Sequence, residues 1–480
     1  VVNDHPGISA PVVRSSLVCP FVDGEEQGIA QVGVLALPDV PTPKPADREQ
    51  PITVVPLAVT PDAAATEQQS PPPASTKPIM SVAQRGVVAA DEVQTPEGTS
   101  FAVTGAGTLA PGLAAEQTLI MQAADLRGIS TAPCTAPSRE HWFVGGSGEV
   151  GRRGRIILAN PTNVPAVVDL TLWDEAGPVE AAGTQDVAIP ARSQRIFLLD
   201  ALAAGSMVTG VHVTTSRGRV SAALEMRETD EITPQGMTFI PAAAAPATDI
   251  VVPGVPDHGQ RTLRILAPGE TDAIVSLRIL GPDGAFSPLD RDVLTVPAGT
   301  IVDVPLDAFG SDPFGLRLTS DEPITAAVRV VDKPSDDGLP DIAYTAATQP
   351  LPGPAPALLS RAASGFTSTL LISSIADTTV RATVSKLGAD GTIVPGDPLD
   401  IAPGSTVPVA LSASSGSPNA SVIVTPQTAG TIVVAREITA KDADGTLIDL
   451  MPLVSPTTVV DVPEVVGELP SVPDPVAEAN

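Results

Sequence analysis

The chain has 480 residues, of which 43% are hydrophobic and 2% aromatic, and its formal net charge is −28. The apolar share supports packed cores rather than a disordered chain, and the length predicts three to four domains. The negative charge repels phosphate backbones and anionic lipid, which argues against nucleic-acid and membrane-surface partners. So few rings also argue against base or sugar stacking.

No run approaches the roughly 18 apolar residues of a membrane span. The chain begins at Val1 without Met and shows no signal peptide. It reads as a form whose targeting segment or N-terminal anchor lies outside it.

From the N-terminus, SSLVCPFV at Ser15 and QVGVLALP at Gln31 read as strands, and EQTLIMQAADLRG at Glu116 as a closing strand. Residues 41–75 hold PTPKPADREQP and EQQSPPPASTKP, a Pro-rich loop or linker. Residues 14–134 are therefore expected to be a degenerate β-sandwich with a Pro-rich insertion. Cys19 sits in its first strand and Cys134 at its exit, and the chain has no other cysteine. They lack metal-ligand and C-x-x-C spacing, so a disulfide that staples the beginning of the unit to its end is expected. In the chain-entropy model such a long loop is worth about 4–5 kcal/mol.

Residues 139–245 show short strands and no convincing helix. WFVGG at Trp142 comes first, then Arg155–Asn160, stopped by Asn160-Pro161. In Val167–Trp173, Val168, Leu170 and Leu172 point one way and Asp169 and Thr171 the other, the period of a half-buried strand. Asp186–Pro190, Arg195–Leu199, Val208–Thr214 and Val220–Met226 complete the unit. This spacing predicts an immunoglobulin-like antiparallel β-sandwich.

The plan repeats in residues 246–352 and 353–462. RIILANPTNVPAVVDLTLWDEAGPV at Arg155 returns as TLRILAPGETDAIVSLRILGPDGAF at Thr262 and TLLISSIADTTVRATVSKLGADGTI at Thr369. The turn glycines Gly177, Gly284 and Gly391 recur every 107 residues, the mark of one structural unit reused. In the last copy Lys386 falls where Leu172 and Ile279 sit, so that strand end is either exposed or lets the ammonium snorkel. Trp173, Leu280 and Leu387 share the place before the turn and are expected to pack under the hairpin. Residues 463–480 form an acidic, Pro-rich tail. The fold class is thus all-β: four tandem sandwich modules, three clear and one degenerate, in a rod or arc.

Catalytic chemistry is hard to find. His5, His141, His212 and His258 stand at no metal spacing and read as ordinary histidines. WFVGGSGEVGRRG after His141 lacks the Lys-Ser/Thr of a phosphate loop and leads into a strand, so it reads as a flexible hairpin. The Asp-Gly turns at Gly281, Gly388 and Asp442 lack an EF-hand series. No G-x-S-x-G elbow is present. Trp142 and Phe143, beside a connector, read as packing between modules. No catalytic, cofactor-binding or metal residue is assigned, and no cofactor is expected.

LVCPF at Leu17, WFVGG at Trp142, the LANPTNVPAVVDLTLWDEAGPV run, VHVTTSRGRVSAAL at Val211 and VVPGVP at Val251 together resemble an actinobacterial extracytoplasmic family known only as a domain of unknown function. Members look secreted or membrane-anchored and are often encoded beside a membrane glycosyltransferase. The resemblance implies a non-enzymatic cell-envelope scaffold or accessory subunit, outside the cytoplasmic membrane. It implies an envelope protein as partner, with a membrane glycosyltransferase as one candidate, and membrane contact only through an anchor or that partner. A glycan-binding or adhesive module, and a hydrolase with an unrecognised carboxylate site, are the alternatives.

Overall fold

Alternating Val, Ile and Leu, broken every few residues by Gly, Pro and Asp, gives short strands with one buried face. The computed structural model describes residues 8–20, 28–60, 77–93, 98–123, 126–288, 292–306, 309, 312–334, 338–358, 366–388, 390–411, 421–441 and 443–462. His5, the acidic tail, the second half of the Pro-rich segment, and positions 389 and 442 of two Asp-Gly turns lie outside them. Among the described residues, helix is confined to Leu199–Leu202 and a 3-10 turn at Gly107–Leu109; the rest is strand and connection.

Most strand pairs fall within four segments, residues 14–133, 140–240, 247–346 and 355–452. In the second, Glu140–Val144, Gly210–Arg217 and Ala166–Trp173 form one sheet. Thr233–Ile240, Ser221–Asp230, Arg152–Asn160 and Ser193–Leu198 form the other. Val168, Leu170 and Leu172 of the first meet Ile156, Leu158 and Leu224 of the second in one core. The first and fourth segments have the same two-sheet plan. In the third, the long strand Phe314–Asp332 takes part in both layers. Its beginning pairs with Ala247–Val255 and Ala273–Gly281, its end with Gln260–Ala267 and Asp341–Ala346. Among the described residues, pairing is antiparallel except where Ala58–Val59 runs parallel to Ser193–Leu198 and at the isolated bridge Leu339–Gly445, and no sheet closes on itself.

The segments do not follow one another as a rod or arc. They close into a ring, because the last strand of each segment stands at a common centre. These strands are Leu126–Pro133, Thr233–Ile240, Asp341–Ala346 and Thr446–Pro452. The fully buried Asp341 carboxylate accepts backbone N–H bonds from Ile129 (3.3 Å), Met237 (3.3 Å), Ile342 (2.9 Å) and Ile448 (3.1 Å), one from each segment. Gly128 and Gly236 leave room for it: a Cβ on Gly236 would lie 2.6 Å from the Asp341 Oδ1, and one on Gly128 3.0 Å from it. Next along the centre, the buried Asp449 accepts from Thr131 N at 2.8 Å and Thr238 Oγ1 at 3.2 Å, and from the Thr131 hydroxyl.

Three of the four closing strands also give side chains to the core before them. Met237 lies in the first segment's core, Ile342 and Tyr344 in the second's, and Ile448 and Leu450 in the third's. The residues before the Gly turns complete the seams. Trp173 packs with Leu266 and Ile301, Leu280 with Val433, and Leu387 with Leu35 and Leu37. They lie against the next segment, and Leu280 and Leu387 share those clusters with Ala285 and Ile393 of their own hairpins. Lys386, one place earlier, is exposed.

Between the fourth and first segments, Arg436 forms a buried ion pair with Glu116 and donates to Leu358 O at 2.7 Å. At the same junction Ile8–Pro11 pairs antiparallel with Val459–Val462, so the two ends of the described chain meet. Cys19 and Cys134 are joined by a disulfide, tying the first strand of the first segment to its exit.

Burial pushes both central carboxyls up, Asp341 well above the ordinary range and Asp449 to about 7, against the hydrogen bonds they accept. The folded chain therefore holds protons that the unfolded chain releases. The stability this brings is fully present below the ordinary carboxylate pKa of about 4 and is lost as pH rises through the folded values. The unfolding free energy from denaturant titration should fall between about pH 4 and 7, by about 4 kcal/mol from Asp449 alone. Asp449→Asn should flatten that slope; a slope equal to wild type would dissociate it from Asp449.

Candidate functional site

Among the described residues, His141, His212 and His258 form no common site. His141 is buried, with Nε2 at 2.8 Å from Val220 O, and desolvation lowers its pKa. His212 stacks on Trp142 with centroids 3.6 Å apart and lies 3.0 Å from Glu140 Oε1. His258 bridges Asp332 at 3.3 Å and Glu437 at 3.0 Å, across the seam of the third and fourth segments. Those two hydrogen bonds raise its pKa to about 10. Among the described residues, no group of three or more His, Cys, Asp or Glu could hold a metal ion. Trp142 and Trp173 stack at 5.6 Å, and each is only 7% exposed, so neither offers a ring to solvent.

A polar feature that opens to solvent is a cleft of about 380 Å3 at the seam of the second and third segments. The Gly-rich run after His141 builds one wall. It is not a flexible hairpin: residues 144–148 are buried and bonded on both sides. Gly145 N donates to Thr209 O at 2.9 Å, Gly148 N to Ser206 O at 2.9 Å, and Thr229 N to Gly151 O at 2.8 Å. Glycine is required by close approach. A Cβ on Gly148 would fall 1.9 Å from Ala203 O, and one on Gly145 2.8 Å from the Tyr344 ring. The run thus holds Glu149 and Arg152 at the mouth of the cleft and lets Tyr344 pack behind it.

Across the cleft, strands Gln260–Ala267 and Thr300–Pro305 bring Arg264 and Asp303, and Phe314–Asp332 brings Arg329. The charged groups form a chain through both segments. Glu228 accepts from Arg152 and from Arg329. The buried Tyr344 hydroxyl accepts from Arg264 Nη1 at 3.0 Å and lies within electrostatic reach of Arg329. Arg264 Nε is 3.3 Å from Asp303 Oδ1. Glu175 accepts from Met207 N and Val208 N at 3.3 and 3.4 Å on the remaining side. Val150 is fully exposed beside Glu149, and Met207 and Ile232 are exposed on neighbouring turns.

Such an arrangement can hold a polar ligand by charge-assisted hydrogen bonds, but it has no nucleophile–base pair. Sequence reasoning missed it because its members come from positions 149 to 344. The one local signal was the density of glycine after His141.

The geometry defines an all-β repeat protein closed into a ring, with a charged cleft at one seam. The chain belongs to the Family of unknown function (DUF5719), which matches it over residues 87–412, a span that contains every residue lining the cleft. No curated protein matches it. Among the described residues, no helix is long and apolar enough to cross a membrane.

Gly145 and Gly177 have nearly equal φ, 137° and 141°, yet a Cβ on Gly177 would meet nothing within 4 Å. Gly145→Ala should therefore destabilise the protein by about 1–3 kcal/mol more than Gly177→Ala in urea titrations. Equal losses would mean that the loop yields to the added methyl.

Proposed function

We propose that the protein is a non-enzymatic scaffold or accessory subunit of the cell envelope, acting outside the cytoplasmic membrane through protein–protein contacts. On this reading the four segments are immunoglobulin-like modules over residues 14–134, 139–245, 246–352 and 353–462. The observation that carries the reading is the interlocked ring. The closing strands of the second, third and fourth segments each serve the core of the segment before, which makes a rigid body suited to presenting surfaces rather than to moving around a substrate. The charged groups at the seams are bonded across them, as in Arg436–Glu116 and Arg329–Glu228.

The disulfide supports an oxidising compartment. The exposed Val150, Met207 and Ile232 supply apolar contact points on an otherwise acidic chain. The buried tryptophans weaken the glycan-binding alternative.

Crosslinking in native membranes, followed by purification of the intact protein, tests the proposal. An envelope protein, with a membrane glycosyltransferase as one candidate, is expected in near-stoichiometric yield. Recovery of the protein alone, from crosslinked and uncrosslinked membranes alike, would sink the accessory role.

A further inference from the structure

We propose that the cleft between the second and third segments binds a small zwitterion of the amino-acid class, with its acid group on Arg264 and its amino group toward Glu149 and Glu175. This inference is independent of the scaffold role. It rests on how the charges in the cleft are arranged and on which of them the protein leaves available.

The floor is cationic and fixed. Arg264 is 7% exposed, so its guanidinium has lost most of its water. Nη1 is held by the Tyr344 hydroxyl, and Nε faces Asp303. Nη2 has no hydrogen-bond partner among the described residues, and Arg264 lines the cleft. A buried guanidinium with spare donors is a seat for a carboxylate, which it binds through charge-assisted bonds. Tyr344 and Glu228 hold Arg264 and Arg329 in place beforehand, so little is lost in ordering them on binding.

The wall is anionic. Glu149 has no side-chain partner among the described residues, and Glu175 is bound only by two backbone amides. These acids repel a simple anion approaching the floor, and the arginines repel a simple cation approaching the wall. A ligand that carries both charges satisfies both sides. The cleft's size, about 380 Å3, falls in the range of small-ligand sites. Met207, Val208 and Ile301 add an apolar strip for a side chain.

The test is calorimetric titration of the intact protein with single L-amino acids and dipeptides, using acetate, inorganic phosphate and methylamine as single-charge controls. At least one zwitterion should bind with a Kd below about 1 mM, and the controls at least about tenfold more weakly. Arg264→Lys and Glu149→Gln should each weaken that binding about tenfold or more. Glu149→Gln lies at the mouth, without a structural bond, so it keeps the test valid if Arg264→Lys disturbs folding. The proposal is overturned if no zwitterion binds, if acetate, phosphate or methylamine binds as tightly, or if Glu149→Gln binds like wild type.

Discussion

One carboxylate sits where four strands meet, and the ring is organised around it. A buried carboxyl group is costly unless hydrogen bonds replace its water, and burial here outweighs those bonds enough to favour the protonated form. Asp341 obtains those bonds from four backbone amides, one per segment. No single segment could supply them, so the favourable state of Asp341 exists only when all four are docked. The neighbouring positions fit this division of labour. Gly128 and Gly236 stand back where Asp341 projects, and Leu447 fills the fourth place with apolar bulk. The repeat is thus fourfold in backbone and deliberately unequal in side chains.

The same dependence extends outward through the cores. A core that includes a strand from the following segment is incomplete when that segment is removed. Met237, Ile342 and Ile448 each stand in a core that is mostly built by the previous segment. At the remaining junction an ion pair replaces part of this apolar exchange. Arg436 occupies a strand face shared with Ile432 and Val434, and it is compensated by Glu116 from the far end of the chain. Burial raises the Glu116 pKa, while Arg436 pulls it back. Either partner alone would leave an uncompensated charge in the core edge. That junction therefore discriminates strongly between the closed ring and an open one.

Period-two patterning made the strands legible from the sequence. Val168, Leu170 and Leu172 are buried as alternation requires, and Thr171 is exposed. Cysteine spacing identified the bond between Cys19 and Cys134. Closure was not legible, because alternation reports which face of a strand is buried but not against what. Trp173, Leu280 and Leu387 show the difficulty: hydrophobic residues on the outer face could cover their own hairpin or a neighbour, and only the docking of segments decides. Nothing local marks Asp341 for the same reason, since its four donors are scattered over more than three hundred positions. The Gly-rich run misled in the opposite direction. Glycine marks both mobility and tight approach, and here the backbone atoms of Ala203 and Thr229 leave no room for anything larger.

The terminal ribbon has a mechanical consequence. Ile8 faces Val462 and Pro11 faces Val459, so both chain directions leave the ribbon at the same end. A pull applied through the two ends would peel this ribbon pair by pair, as a zipper opens, rather than shear all its bonds at once. Peeling loads one hydrogen-bonded pair at a time, so the ribbon yields at low force. The load then passes to Val12, bonded to Thr458, and to Gly112, bonded to Thr457. The closed body behind would be spared the early part of the strain, as a ring is when its clasp gives first.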